Sequence, residues 1–383
     1  MMVSRGWCVL AGFLLLLAGC ASGPPAVPDT RALFLDDQFK PVPGLVVESQ
    51  EQIFALAPEL ADRLRAQSRQ SGSTEQRLKT LLAQIYTDAG IRLDYNVGHS
   101  TGAAETWANK RGDCLSLTIL AYSAARVLDV EARMQEVPGP ALVDRRGDID
   151  FVTGHVNLHV RARNRVSLGS RVFEPGGFIV DFQPHSAQRN LGLALEESEV
   201  LARFYNNRAS EHLAQGQTDE AYLYYRAAAS ADPRYAPVFS NLAVLYQRKG
   251  LHGNAEAALR YAVALKGNSD VALKGLHQLL LSQGRHVQAA EVAQELRKWQ
   301  DASPYYWLAR GRLALNSGDS AGAVDALERA EALSSGFAEL HYLLALTYAR
   351  AGEADKAQAQ MSILRGLSGQ DAALALLAKK LQQ

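Results

Sequence analysis

Two hydrophobic rhythms divide the chain. Beyond residue 202, glycine returns at 216, 250, 284, 318 and 352 and alanine at 221, 255, 289, 323 and 357, both with a spacing of 34 residues. The same register holds small residues at Ala209, Ala243, Gly311 and Ala345, interrupted by His277. It holds apolar or small ones at Tyr225, Leu259, Ala293, Leu327 and Met361, and at Ala228, Ala262, Leu296, Ala330 and Leu364. Small residues let two helices approach closely and glycine supplies the turn between them, so the pattern predicts stacked helix hairpins. His277 is expected to be a local packing adjustment. Upstream the rhythm is mixed. Residues 77–86 carry apolar positions at helical spacing behind Ser73, Thr74 and Glu75. Residues 115–128 are almost wholly apolar or small, which predicts a buried helix capped by Asp113. Residues 155–160 alternate, which predicts a strand with His155, Asn157 and His159 on one face. Residues 171–173 and 178–182 read as strands around a Gly176-Gly177 turn, with Asp181 ending the second.

The first twenty residues have one charge, Arg5, then an apolar run over 7–17, the pattern of a secretory signal too short to span a bilayer. Leu17-Ala18-Gly19-Cys20 resembles the bacterial lipobox. That resemblance implies cleavage before Cys20 and acylation of its sulfur, an anchor contributing about 0.8 kcal/mol per buried methylene. Ala21 after the cysteine implies the outer membrane, facing the periplasm. The plainer alternative is a signal peptide with an incidental cysteine. Residues 20–30, rich in proline, read as a tether. Forty basic residues balance forty acidic ones, so nothing points to nucleic acid. The remaining chain is long enough for two domains, each with its own core.

The 34-residue register resembles the tetratricopeptide repeat over roughly residues 202–370, followed by a capping helix at 371–383. The resemblance implies a concave groove for a protein or peptide partner. Asn241 could match one position of the family's carboxylate clamp, but Val271 and Gly275 stand where basic residues are needed, which argues against that mode.

Cysteine use sharpens the first half. With Cys8 lost in the signal and Cys20 lipidated, Cys114 is a lone thiol in an oxidising compartment. Placed in the first turn of a buried helix, it is expected to be stabilised as thiolate by the free N–H groups there. Cys114, then His155, then Asp181 is the order nucleophile, base, orienter. Gly112-Asp113-Cys114, Ala132-Arg133, a strand opening with His155 and Val180-Asp181 together resemble the transglutaminase-like superfamily, related to papain-like cysteine proteases, over residues 75–185. The resemblance implies Cys114, His155 and Asp181 as catalytic residues. Asn157 departs from the tryptophan many relatives carry, which bears on the lining of the substrate cleft. A charged 144–150 loop, longer than a minimal member needs, is a candidate gate. His159 is an alternative base, and Trp107 and Asn109 are alternative oxyanion donors beside the Cys114 N–H. Arg111-Gly112-Asp113 spells an integrin-binding tripeptide but is expected to serve the turn. No motif calls for a metal or cofactor, and the absence of a resolving cysteine argues against a redox sensor.

The expected organisation is a signal at 1–19, a lipidated tether at 20–30, an α+β transglutaminase-like (papain-like) domain at 31–197, an all-α tetratricopeptide-repeat solenoid at 198–370 and a cap at 371–383. The expected function is an envelope-tethered cysteine hydrolase or acyltransferase acting on periplasmic polypeptide or cell-wall peptide amides. The alternative is a non-catalytic lipoprotein that scaffolds an envelope or secretion assembly through its repeats.

Overall fold

The computed structural model describes residues 29–70, 73, 76–77, 81, 94–95, 99–146, 149–161, 166–168, 171–173, 178–182, 192–265, 269–336 and 338–368. The signal, Cys20, most of the tether, most of the 77–86 helix, the Gly176-Gly177 turn and the 371–383 cap lie outside them.

The C-terminal part is five helix hairpins: Glu197–Ala214 with Thr218–Ala231, Ala236–Arg248 with His252–Ala264, Ser269–Ser282 with His286–Ala302, Pro304–Ser317 with Ser320–Leu333, and Ala338–Arg350 with Ala354–Ser368. The glycine ladder closes each one. Gly216, Gly250, Gly284, Gly318 and Gly352 are left-handed, with φ of 77°, 74°, 71°, 82° and 78°. The residue after each glycine returns its N–H to a carbonyl in the last helical turn, as in Asp319 to Ala314 at 2.9 Å. A Cβ in that conformation crowds the adjacent carbonyl. Gly318→Ala is therefore expected to cost about 1 kcal/mol, read as a lower denaturation midpoint at constant m-value. The alanines of the register other than half-buried Ala293 are buried, and at Gly311 a Cβ would stand 2.5 Å from Leu327, so the small residues set the helix separation. His277 fills its place by bonding Nδ1 to the Ala289 carbonyl at 2.9 Å, a packing role.

The first half holds helices Gln50–Phe54, Pro58–Gln70, Ala103–Asn109 and Cys114–Val127 and strands β1 Asp94–Tyr95, β2 Arg111–Gly112, β3 Ala132–Arg146, β4 Ile149–Val160, β5 Val166–Leu168, β6 Arg171–Phe173, β7 Phe178–Val180 and β8 Leu193–Ala194. The main sheet has order β7-β4-β3-β8 and is antiparallel throughout. Two expectations change. β6 pairs with β5, not with β7, and β7 pairs with β4 through Val180 and Leu158. In the charged 144–150 stretch, Asp144, Arg145 and Arg146 pair with Phe151, Asp150 and Ile149, so these residues belong to strands and not to a loop. The register of that hairpin breaks between Val137 and Leu142, beside His155. Pro138 and Pro140 fall in the break, where their missing N–H groups cost no ladder bonds.

Successive residues of a strand point to opposite faces, and Val156, Asn157 and Leu158 are all buried. β4 is therefore covered on both faces, contacted by the Cys114–Val127 helix and by the first helices of the first two hairpins. The expectation of separate cores fails here. One apolar cluster runs unbroken from Phe39 through the sheet to Val292 in the third hairpin, while the last two hairpins hold clusters of their own. An N-terminal strap adds to the union. Phe39 stacks on Tyr222 at 3.8 Å, Tyr222 donates to Asp36 at 2.8 Å, and Tyr246 and Tyr205 donate to the Leu33 and Glu48 carbonyls at 2.6 Å.

Candidate functional site

Cys114 is the first residue of its helix because Asp113 ends the preceding extended chain and caps it. The Asp113 carboxylate accepts from the Ser116 N–H at 2.7 Å and the Ser116 hydroxyl at 2.6 Å. The close approach also needs Gly112, whose Cβ would lie 2.8 Å from that of Ser116. Cys114 is buried and not paired to another cysteine, and the main chain of Val156, one residue along β4 from His155, lies near enough to its sulfur to favour the thiolate.

His155 and Asp181 come together as the sequence order requires. His155 Nε2 stands 2.9 Å from both carboxylate oxygens of Asp181, and the side chains are only 10% and 12% exposed. The other ring nitrogen, Nδ1, is buried and has no hydrogen-bond partner among the described residues. Asn157 does not line a cleft. Its Nδ2 donates to Asp181 Oδ2 at 3.0 Å, so it fixes the orienting carboxylate. The signal for this was visible: Asn157 lies two residues from His155 and therefore on the same face. His159 lies two residues further along that face, paired in register with Arg133 and Ile179. Of the alternative oxyanion donors, Asn109 is exposed, whereas Trp107 is buried with Lys110 over its ring at 3.3 Å.

The electrostatics of the thiol reverse one expectation. Burial, followed by the charge of Asp113, pushes Cys114 up to about 12, and the hydrogen bonds from the Val156 and Leu115 main chain oppose this more weakly. Desolvation outweighs the first-turn N–H groups because the sulfur is enclosed. Asp113 is itself raised by burial, against the bonds from Ser100 and Ser116.

The hairpins contribute to the surroundings. Arg203 donates to Glu136 at 2.7 Å and lies 4.4 Å over the ring of Tyr235, a buried tyrosine close enough to Cys114 for their charges to interact. Glu136 faces Val156 across the ladder. Its carboxylate occupies the space a side chain at Gly154 would need, since a Cβ there would meet Oε1 at 2.4 Å. Gly154→Ala is expected to displace that carboxylate from Arg203 and cost about 2 kcal/mol, measured by chemical denaturation. Asn241, weighed as a clamp residue, is spent internally: it is buried and donates to Asn206 at 2.9 Å. The first helices of hairpins one and two are buried over most of their length, and those of hairpins three and four keep more exposed positions.

A family model described as tetratricopeptide repeat matches residues 202–235. A search of curated proteins returns no match. Among solved structures, the chain is similar to YrrB, a repeat protein described as having an unusual peptide-binding site, at 20% identity over 47% of this chain and 92% of that one, with a TM-score of 0.25. It is similar to PilF of Pseudomonas aeruginosa at 21% identity over 49% and 85%, TM-score 0.27. MamA of Desulfovibrio magneticus RS-1 matches at 17% identity over 44% and 94%, TM-score 0.24. With the family model, the five hairpins and their left-handed glycine turns in agreement, the C-terminal part of this chain is a solenoid of tetratricopeptide repeats, a module that binds protein or peptide partners.

Proposed function

We propose that the protein is a cysteine hydrolase of transglutaminase-like type, tethered to the bacterial envelope through a lipid on Cys20, which cleaves amide bonds of periplasmic polypeptides or cell-wall peptides. One observation carries this reading. His155 commits Nε2 to Asp181 and leaves a buried Nδ1 with no partner among the described residues, one residue along β4 from the Val156 main chain that lies near the sulfur of Cys114. In the reaction the Cys114 proton passes to His155 Nδ1 as sulfur adds to the carbonyl carbon. The Cys114 N–H receives the developing oxyanion. Collapse breaks the C–N bond, and His155 returns its proton to the departing amine, leaving a thioester. Water, deprotonated by His155, attacks that thioester and releases the acid and the thiol. Asp181, held by Asn157, keeps the imidazole in the tautomer with its proton on Nε2 and offsets its charge when protonated. An amine in place of water would make the enzyme an acyltransferase.

A second reading is supported by the repeats: a scaffold whose solenoid binds envelope partners, with the first half kept for its fold. An activated acyl ester separates the two. Intact-mass analysis is expected to find an acyl adduct on Cys114 of the wild type and none on Cys114→Ala or His155→Ala. No adduct, together with full function of Cys114→Ala in cells, assigns the protein to the scaffold reading.

A further inference from the structure

The first repeat reaches the nucleophile through side chains that no pattern in the sequence singled out. On the Glu197–Ala214 helix, Asn207 donates Nδ2 to Ser100 Oγ at 2.9 Å, and Ser100 Oγ donates in turn to Asp113 Oδ2 at 2.6 Å. The other carboxylate oxygen of Asp113 takes both bonds from Ser116, whose hydroxyl accepts from the Thr101 N–H at 2.8 Å. One turn further along the same helix, Glu211 accepts from the Ser100 N–H at 2.9 Å and pairs with His99 at 2.7 Å and Arg208 at 3.1 Å. Ser100, Asp113, Ser116 and Glu211 are all buried.

A serine hydroxyl has one proton, and its direction is free until its lone pairs are engaged. Asn207 occupies a lone pair of Ser100 and so turns the O–H onto Asp113, while Glu211 pins the Ser100 main chain. Asp113 is the cap of the Cys114 helix and the nearest carboxylate to it in sequence, and its charge acts against the thiolate. Each donor that reaches Asp113 holds its carboxylate in the capping position.

We propose that Asn207 is a positioning residue of the Cys114 site, acting through Ser100 and Asp113, so that the first tetratricopeptide repeat is a structural part of the catalytic centre as well as a recruiting surface. The proposal rests on the reading of Cys114 as the nucleophile. Removing Asn207 leaves Ser100 unaligned and the Asp113 cap less firmly held, which loosens the first-turn N–H groups that favour the Cys114 thiolate.

The test is the pH profile of iodoacetamide labelling of Cys114 in the full chain, read by peptide mass spectrometry. Asn207→Leu is expected to move the profile to higher pH by about 0.7 unit, a fall of about fivefold in rate below the midpoint. Ser100→Ala is expected to shift it in the same direction. Asn207→Leu added to Ser100→Ala is expected to change nothing more, because the chain is already cut. Gly318→Ala, which loosens a distant turn, is expected to lower stability and leave the profile in place. An unmoved profile in Asn207→Leu, or a full additive shift in the double variant, overturns the proposal. Labelling unaffected by His155→Ala overturns the nucleophile reading instead, and that outcome is independent of whether Asn207 and Ser100 couple.

Discussion

His155→Ala is expected to slow alkylation of Cys114 at pH 7 by two orders of magnitude or more. With the thiol pushed up to about 12 by burial and by Asp113, very little of it is thiolate at neutral pH unless a neighbour takes the proton. The buried Nδ1 of His155 has no other partner among the described residues, and general-base assistance from an imidazole contributes about 10²–10⁴-fold. The two profiles should differ in shape as well as height. The variant should gain about tenfold in rate per pH unit toward the alkaline end, as an isolated buried thiol does. The wild type should rise at a pH below the reference thiol value of about 8.5. Superimposable profiles would mean that the imidazole does not serve the sulfur, and the hydrolase reading would fall. The same elevated thiol has a stability signature. Because the folded form holds its proton more tightly than the unfolded form, its contribution is complete below the unfolded thiol's range and drains away as pH rises toward 12. Cys114→Ala should remove that part of the alkaline loss.

The second large effect is expected at the strap. Phe39→Ala should cost about 3 kcal/mol, near the lower end for loss of a buried phenylalanine. Its ring is 7% exposed, lies parallel to Tyr222 at 3.8 Å and has the Lys249 ammonium 4.3 Å from its centre. Truncation leaves Tyr222 with an open face and loosens the segment that bonds Tyr246 and Lys249 through the Leu33 and Gln38 carbonyls. Guanidinium denaturation should show the lower midpoint, and dilute protease should cut the strap before the folded body. A midpoint equal to that of the wild type would show that the strap adds no stability.

How much of the molecule is legible in the chain depends on the range of each interaction. The glycine ladder is legible because each turn is decided by a single residue's freedom at positive φ. The Asp113 cap is legible for the same reason, as its partner Ser116 is three residues away. The order of Cys114, His155 and Asp181 is legible. What covers them is not. Arg203, Tyr235 and Asn207 meet the first half only after the chain has folded back on itself, and nothing periodic marks them. The strap leaves no local signal because its order comes from partners about two hundred residues away, such as Tyr246 for Leu33. The charged 144–150 stretch resembles a loop in sequence because polar residues on both faces hide the alternation of a hairpin end. The thiolate expectation fails because a helix terminus can be seen in sequence and the depth of burial cannot.

Synthesis delivers this chain N-terminus first, and the unbroken cluster from Phe39 to Val292 decides how late the site can close. Cys114, His155 and Asp181 emerge early, yet two of the helices that cover β4, Glu197–Ala214 and Ala236–Arg248, are made only afterwards. A nascent chain halted before the second hairpin would hold all three residues without the packing that aligns them. The thiol is thus enclosed late, once enough of the protein has been made to cover it.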